Sequence, residues 1–149
     1  MGKFVFKNPY FAIDSTAGSL VALSDHVRSL TLNYSAEEVD STCMTDDGIA
    51  RLVGLKDWSM DVEFAQDYAS AKVNATIFNK MNSTAPQATV AFRPTTGGTT
   101  GTNPQYQGEG IVFDYTPVGG TVGDLAVGSI SIRAAADYST SYSLGRVTA

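Results

Sequence analysis

Alternating apolar and polar residues divide much of the chain into strands. The clearest case is the segment KDWSMDVEF at 56–64, where polar and apolar residues alternate from Asp57 to Phe64. A period of two is typical of a β-strand with one buried and one exposed face. The segment VRSLTLNYS at 27–35 has the same pattern. Five other segments are rich in β-forming residues, and they are 4–13, 19–23, 88–94, 106–116 and 126–135.

A single helix is predicted at about residues 67–82. The apolar residues that recur there at intervals of four are Ala69, Val73, Ile77 and Met81, with Phe78 beside them. About seven strands and one helix predict a mainly β fold, either a sandwich or an incomplete barrel with the helix packed on it. No repeat or linker divides the chain, so residues 1–149 are interpreted as a single domain.

The apolar positions of these elements predict the hydrophobic core. They are the residues on one face of each alternating strand and on one side of the helix. The paired glycines of GEG at 108–110 fall inside a predicted strand, where they indicate a bulge or a close approach of another group to the backbone. The predicted core residues are Leu30, Leu32, Trp58, Met60, Val62, Phe64, Val73, Ile77, Ile130 and Ile132.

Three segments lie largely outside the regular pattern. Residues 1–18 are predicted to form an extended N-terminal segment, and residues 138–149 lack a period and are predicted to form a loose C-terminal tail. Residues 36–51, AEEVDSTCMTDDGIAR, form a polar and acidic loop with a turn signal at Asp47-Gly48. A loop of more than about 12 residues is uncommon in a compact domain and is commonly functional or disordered.

The polar side of the 56–64 strand is rich in acids. Asp57, Asp61 and Glu63 lie on it with no balancing base, and Ser59 is its only uncharged member. Like charges in a row cost some stability, which suggests a purpose. Acids on an exposed strand face can also serve only to keep the sheet solvated and prevent aggregation. The other strands that extend this side contribute Ser29, Thr31, Asn33, Ser35, Ser129 and Ser131, with Arg133 as an opposing charge.

Composition and charge exclude several classes of protein. Charged residues make up 17% of the chain and the net charge is −5, whereas general affinity for nucleic acid needs clustered lysine and arginine. No apolar run reaches the roughly 18–20 residues that cross a bilayer, and the N-terminus lacks the features of a signal peptide. Cys43 is the only cysteine, which excludes an intrachain disulfide and suits a reducing compartment.

Little in the sequence indicates catalysis or metal binding. His26 is the only histidine, so a Ser-His-Asp or Cys-His pair could use no other base. Its place beside Asp25 favours a turn residue. Cys43 lies among acids and hydroxyls rather than beside a base. The acidic loop lacks the alternating oxygen ligands and closing glutamate of a calcium loop. We therefore expect no enzymatic activity and no cofactor.

The order of these features resembles the major tail tube proteins of long-tailed, siphovirus-like bacteriophages. In that family a strand enters a long polar loop with a Val-Asp-x-Thr-like stretch. The chain returns through a Gly-Leu-x-Asp turn into an alternating strand, which a helix follows. The matching segments here are VDST at 39–42, GLKD at 54–57 and the strand through Phe64. The late strands QGEGIVFDYTPVGG and LAVGSISIRAA also match, so the resemblance covers about residues 20–137.

The resemblance implies a structural protein of the virion that is assembled in the host cytoplasm. Members of the family form six-membered rings that stack into a hollow tube, and double-stranded DNA passes through it without specific binding. The implied partners are further copies of the same chain and the tape-measure, tail-tip initiator and tail-terminator proteins, with no membrane contact. The loop between the two long strands reaches the next ring.

Two groups of residues acquire expected roles from this resemblance. DNA carries about one negative charge per 1.7 Å of its axis, so an acidic bore would offer it no counter-charge and let it slide. The predicted lumen-facing residues are Asp57, Ser59, Asp61, Glu63, Ser29, Thr31, Asn33, Ser129 and Ser131. The predicted ring-stacking residues are Glu37, Glu38, Asp40, Asp46, Asp47 and Arg51, with Lys3, Lys7, Arg28 and Arg146 as bases available to pair with the acids.

Two alternative functions remain open at this point. The tube protein of a contractile injection or secretion machine would share the fold and the ring. A β-sandwich binding or adhesion module would share the strand pattern. Such a module should expose an aromatic platform and usually carries a secretion signal, whereas the alternation predicts that Trp58 is buried.

Overall fold

The computed structural model describes residues 2–16, 18–135 and 145–148, which form eight strands and one helix. The elements are β1 Tyr10–Asp14, β2 Leu20–Ala22, β3 Val27–Asp40, β4 Arg51–Ala65, α1 Val73–Met81, β5 Gln87–Arg93, β6 Gln105–Thr116, β7 Val127–Ala134 and β8 Gly145–Val147. The strands make one antiparallel sheet in the order β2-β1-β5-β6-β7-β4-β3, and β8 pairs with β6.

The sheet curls until distant strands meet across its inner face. β5, β6 and β7 lie between β1 and β4 in the sheet order. The rings of Phe11 on β1 and Phe64 on β4 nevertheless have centroids only 5.7 Å apart. Because a flat sheet would hold these strands far apart, the sheet must close partly on itself. The predicted mainly β fold with one packed helix is confirmed, as an open and curled sheet.

The inner face of this sheet and one side of α1 form the core. All but two of the predicted core residues are buried there, and Phe11, Ile13, Leu23 and Val90 join them. The exceptions are Leu30 and Leu32, which are only half-buried and pack against the margin of the core. Their burial is partial because β3 is the last strand of the sheet among the described residues, so no strand flanks it on that side.

The two glycines of the GEG segment make room for the indole of Trp58. A Cβ atom built on Gly108 would lie 2.9 Å from Trp58 Cζ2. One built on Gly110 would lie 2.9 Å from Trp58 Cη2 and 2.5 Å from Ile132 Cγ2. The two glycines therefore mark a close approach of the Trp58 indole to the backbone of β6. The bulge of β6 lies further along, between Val112 and Asp114.

The helix is shorter than predicted. It begins at Val73 rather than near residue 67, because Asp67 Oδ1 accepts a hydrogen bond from the Ala69 backbone N–H at 2.8 Å and Ala71 has a φ of 60°. Both features form a turn instead of a helix. Tyr115 Oη donates to Asn74 Oδ1 at 3.0 Å, which fixes α1 against β6.

The chain ends and the long hairpin also differ from the expected boundaries. The N-terminal residues 2–9 contain no strand, and β1 begins only after Pro9. The predicted loop 36–51 is shorter than expected, since β3 continues to Asp40 and β4 starts at Arg51, leaving residues 41–50 as the connection. Of the predicted loose tail, 138–144 and 149 lie outside the described residues, while Gly145–Val147 form β8.

Candidate functional site

All nine residues predicted to face a lumen lie on one side of three adjacent strands. Along β3 and β4, the register pairs Ser29 with Glu63, Thr31 with Asp61 and Asn33 with Ser59. The register of β4 with β7 then pairs Glu63 with Ser129 and Asp61 with Ser131. Directly paired residues point to the same side of a sheet. We call this surface, with Asp57 at one end, the polar face.

A further carboxylate on β6 joins the polar face, and the sequence pattern had missed it. Asp114 pairs with Ser131, and Thr116 pairs with Ser129. Strict alternation from Val112 would have turned Asp114 inward, but the bulge adds one residue and turns it outward. Seven polar residues line one shallow depression of this face, namely Ser29, Thr31, Asp61, Glu63, Asp114, Ser129 and Ser131.

The polar face is acidic overall. The arginines nearest to its acids are Arg133, which pairs with Ser59, and Arg28, whose Nη1 lies 3.7 Å from Glu63 Oε1. Both partners of the Arg28–Glu63 pair are about half-exposed, so the pair is screened by water and adds little stability. The acids Asp57, Asp61 and Asp114 remain beside uncharged neighbours, so the surface would repel a polyanion.

The second candidate surface is the far part of the β3–β4 hairpin, residues 36–55, which we call the distal hairpin. Its strands pair as far as Asp40 with Arg51. The register shifts opposite Glu37, where β4 has one extra residue at Gly54 and Leu55. The segment GLKD was predicted to be a turn, which was wrong: it lies within β4, and its glycine serves a bulge.

Hydrogen bonds order the tip of the distal hairpin. Asp40 Oδ1 accepts from Thr42 Oγ1 at 2.6 Å and from the Thr42 backbone N–H at 2.9 Å, and these bonds lower the pKa of Asp40. Thr42 Oγ1 in turn accepts from the Ala50 backbone N–H at 3.0 Å. Asp46 Oδ2 accepts from the backbone N–H of Cys43 at 2.7 Å. The VDST segment therefore builds the turn that joins the two strands.

Several of the predicted ring-stacking residues make contacts within the chain itself. Asp40 and Asp46 hold the turn, and Arg51 Nε donates to Glu38 Oε1 of the same chain at 2.6 Å. Glu37 and Asp47 are exposed. Six apolar side chains of the distal hairpin are exposed as well, and they are Val39, Met44, Ile49, Leu52, Val53 and Leu55. Exposed apolar groups in such number on one element indicate a contact surface.

The side chains of His26 and Cys43 contact neighbouring groups of the fold. His26 Nδ1 lies 2.7 Å from Asp25 Oδ1, and His26 Nε2 lies 2.9 Å from Asp67 Oδ2, so the imidazole ties the β2–β3 turn to the segment before α1. The exposed Cys43 Sγ is 3.7 Å from the carbonyl oxygen of Ser41. Within 2–16, 18–135 and 145–148, no cluster of three metal-binding side chains occurs. No helix of the described chain is long and apolar enough to span a bilayer.

Comparison with solved structures places this fold among tail proteins. The tail of an empty gene transfer agent particle with C6 symmetry has a chain 14% identical, with a TM-score of 0.65 over 86% of this chain and 91% of that one. The SPP1 tail tube gives 13% identity and a TM-score of 0.65 over 85% of this chain and 72% of that one. The baseplate of the anti-feeding prophage gives 7% identity and a TM-score of 0.60 over 99% and 97%.

The resemblance noted from the sequence is confirmed at the level of the fold. At identities of 7 to 14%, these likenesses concern the path of the chain and not its individual side chains. No protein-family model matches the sequence. No curated protein matches it either.

Proposed function

We propose that this chain is the tube-forming structural protein of a long-tailed phage or related particle, located in the virion tail. The observation that carries the proposal is an architecture shared with a C6-symmetric tail and with the SPP1 tail tube over at least 85% of the chain. In this proposal the chain acts by self-assembly into stacked hexameric rings, and it does no catalysis. Terminator, initiator and tape-measure proteins are its expected further partners.

The polar face suits the wall of a bore through which DNA moves. The acids of β4 and Asp114 of β6 would form a continuous acidic band around a ring, with serine and threonine between them. Double-stranded DNA binds proteins chiefly by releasing counterions to lysine and arginine. A wall that offers few such groups would let DNA pass in transit without retaining it.

The distal hairpin suits the contact between successive rings. It projects apolar side chains that this chain does not cover, and its strands are joined by an ordered turn. Asp40 and Asp46 accept hydrogen bonds that order the tip, so the stacking contact in this proposal is mainly apolar. Of the acids expected to pair with bases of the next ring, Glu37, Glu38 and Asp47 are exposed and remain candidates.

A contractile injection machine is the second candidate function. The likeness to the anti-feeding prophage baseplate over 99% of the chain favours it specifically. Trp58 offers no ligand platform for the binding-module alternative, since it is 2% exposed. Co-purification with a sheath protein of the same gene cluster would distinguish a contractile machine from a non-contractile tail.

Electron microscopy of the purified chain at increasing concentration, with light scattering alongside, tests the proposal. We expect six-fold rings or hollow tubes, either spontaneously or after addition of preformed tail tips as seeds. A compact monomer that adds to no tail tip at any concentration would contradict a tube-forming role. A tube that recruits sheath subunits would support the contractile machine.

Charge reversal of the polar face tests its place in the bore. In Asp57→Lys/Asp61→Lys/Glu63→Lys tubes, we expect retention of double-stranded DNA that is protected from nuclease and released as salt rises. Unmodified tubes should hold none. The matched control is the neutral triple Asp57→Asn/Asp61→Asn/Glu63→Gln, which should form tubes and retain little DNA. If the lysine variant folds but cannot assemble, these acids lie in a subunit interface instead.

A further inference from the structure

The imidazole of His26 lies between two carboxylates that belong to different segments. Its Nδ1 is 2.7 Å from Oδ1 of Asp25 in the β2–β3 turn, and its Nε2 is 2.9 Å from Oδ2 of Asp67 in the segment before α1. The side chain of His26 is 14% exposed. Its backbone is fixed, because its carbonyl oxygen accepts from the Ala65 N–H at 2.7 Å. The ring is therefore held on the sheet and reaches across to a second segment.

Both contacts can be hydrogen bonds only while the ring is doubly protonated. An ionised carboxylate has no proton to donate, and a neutral imidazole has one N–H and one lone pair. The backbone N–H of Ala69 and then His26 lower the pKa of Asp67 from an ordinary value of 3.8. The Asp67 carboxylate is therefore ionised where a histidine ordinarily titrates, at about pH 6.5. A neutral ring would turn a lone pair towards one of the two carboxylates.

Two lysines also contribute charge beside this cluster. Lys72 Nζ lies 3.7 Å from Asp25 Oδ2, and Lys7 lines the same surface cleft as Asp25. The side chains of Asp25 and Lys72 are 64% and 43% exposed, so water screens the charges on that side of the ring. Asp67 is more covered, at 31%. Its contact with the ring is therefore the one more sensitive to the charge of the imidazole.

The segment that Asp67 anchors contains a strained turn. Ala71 has a φ of 60°, a left-handed conformation that a residue with a Cβ rarely adopts. Asp67 Oδ1 accepts from the Ala69 N–H at 2.8 Å, and the Asp67 carbonyl oxygen accepts from the Asn74 N–H at 3.1 Å. The side chain of Lys72, at the start of α1, makes no capping hydrogen bond with the described residues. The hold on the first turn of α1 thus depends on Asp67.

We infer that His26 is a proton-dependent latch, which as imidazolium holds segment 66–72 against the β2–β3 turn and on losing a proton releases Asp67. The closed latch needs one proton more than a neutral ring carries. It therefore closes below the pH at which the ring titrates and opens as the pH rises through that value. The element that the proton controls is the strained turn at Ala71, which relaxes once Asp67 is free. The inference does not rest on the proposed function, since every group involved belongs to one chain.

Nitrogen NMR of the labelled full-length chain, kept dilute, tests the latch. His26 is the only histidine, so one pair of ring signals reports its protonation from about pH 5 to about pH 9. Hydrogen exchange at the Ala69 and Asn74 backbone N–H groups is followed alongside and corrected for its intrinsic pH dependence. We expect both to exchange roughly tenfold faster once the ring is neutral, as for the loss of one charge-assisted hydrogen bond. The Ala50 N–H, bonded to Thr42 in the distal hairpin, is the internal control and should not respond.

Asp67→Asn should reverse the direction of the response. The new amide can keep its oxygen on the Ala69 N–H and direct its own N–H at His26 Nε2. A neutral ring can accept that hydrogen bond, and an imidazolium cannot. Segment 66–72 of this variant should therefore be held at high pH and released at low pH. The second variant, His26→Gln, has no titrating ring and should show corrected exchange that is independent of pH.

Each outcome decides the inference. Titration of the ring without a change in exchange at Ala69 and Asn74 would overturn the latch, and so would the same response in His26→Gln. A ring that stays doubly protonated up to about pH 9, well past the ordinary histidine value, would make the cluster a permanent ion triad and would also overturn it. If Asp67→Asn does not fold, the comparison of the unmodified chain with His26→Gln still decides.

Discussion

The two halves of the β3–β4 hairpin contain similar apolar residues, which are buried in one half and exposed in the other. In the half near the body, Trp58 and Phe64 of β4 are 2% and 0% exposed. In the distal hairpin, Leu52 and Leu55 of the same strand are 60% and 81% exposed. The difference is β7, which pairs with β4 only from Ser59 onward. Hydrophobicity thus marks residues that can be buried, and the neighbouring strand decides which of them are.

The two halves therefore have different roles, one in folding and the other in assembly. The near half is stabilised within the single chain, because its apolar side lies on the core. The distal hairpin is held by backbone pairing and by its tip hydrogen bonds. Its apolar side chains gain burial only against another molecule, so substitutions there should affect assembly more than folding.

The largest expected effect is on the near half. Gly110→Ala would place a methyl group 2.5 Å from Ile132 Cγ2 and 2.9 Å from Trp58 Cη2. We expect a loss of about 3 kcal/mol in the free energy of unfolding, at the upper end for overpacking, measured by chemical denaturation. The control is Gly48→Ala in the distal hairpin, where a Cβ meets nothing within 4 Å. Equal stability of the two variants would contradict the packing of Trp58 on β6.

A second glycine-to-alanine substitution tests the packing of the distal hairpin. A Cβ on Gly54 would lie 3.0 Å from Val39 Cγ2 and 3.2 Å from the Glu37 carbonyl oxygen. Because this bulge is outside the core, Gly54→Ala should cost only about 1 kcal/mol. Hydrogen exchange should quicken at residues 36–55 and stay unchanged in the core strands. Faster exchange throughout the protein would show that the two halves unfold together.

The next substitution should separate folding from assembly. Leu55→Ser should change the free energy of unfolding by less than about 0.5 kcal/mol, as is usual at exposed positions, and should abolish tube formation. Val118→Ser is the matched control, because Val118 is also exposed, at 73%, and lies outside both candidate surfaces. Normal tubes from the Leu55 variant, scored by electron microscopy, would remove the distal hairpin from the stacking contact.

The smallest expected effect is a difference in pH dependence between the body of the protein and the distal hairpin. The pKa of Asp67 is lowered by the Ala69 backbone N–H and by His26, and that of Asp40 by Thr42, both from an ordinary value of 3.8. Each lowered pKa gives stability that is present above about pH 4 and lost as the pH falls through the folded value. Asp67→Asn should flatten the acid slope of global unfolding, and Asp40→Asn only that of hydrogen exchange at the tip. If Asp40→Asn flattened the acid slope of global unfolding and Asp67→Asn changed only hydrogen exchange at the tip, the difference between the body and the distal hairpin would be contradicted.

Much of the fold and of the polar face followed from the sequence because both depend on local alternation. The side to which Asp61 points is fixed by its neighbours in the strand. Asp114 was missed because a bulge, which depends on the pairing of β6 with β7, resets the alternation. The half-exposure of Leu30 depends on β3 being the last strand, and strand order is a long-range property. The stacking of Phe6 on Phe92 joins residues that no local pattern connects.

The positions of two unique side chains provide separate optical reporters. Trp58, the only tryptophan, is enclosed by the core and by the β6 glycines, so its intrinsic fluorescence follows unfolding of the body. Cys43, the only thiol, is exposed at the tip of the distal hairpin, so a dye attached there responds to the surroundings of the tip. The chain labelled at Cys43 can therefore report folding and tip contact at two wavelengths in a single sample, without any substitution.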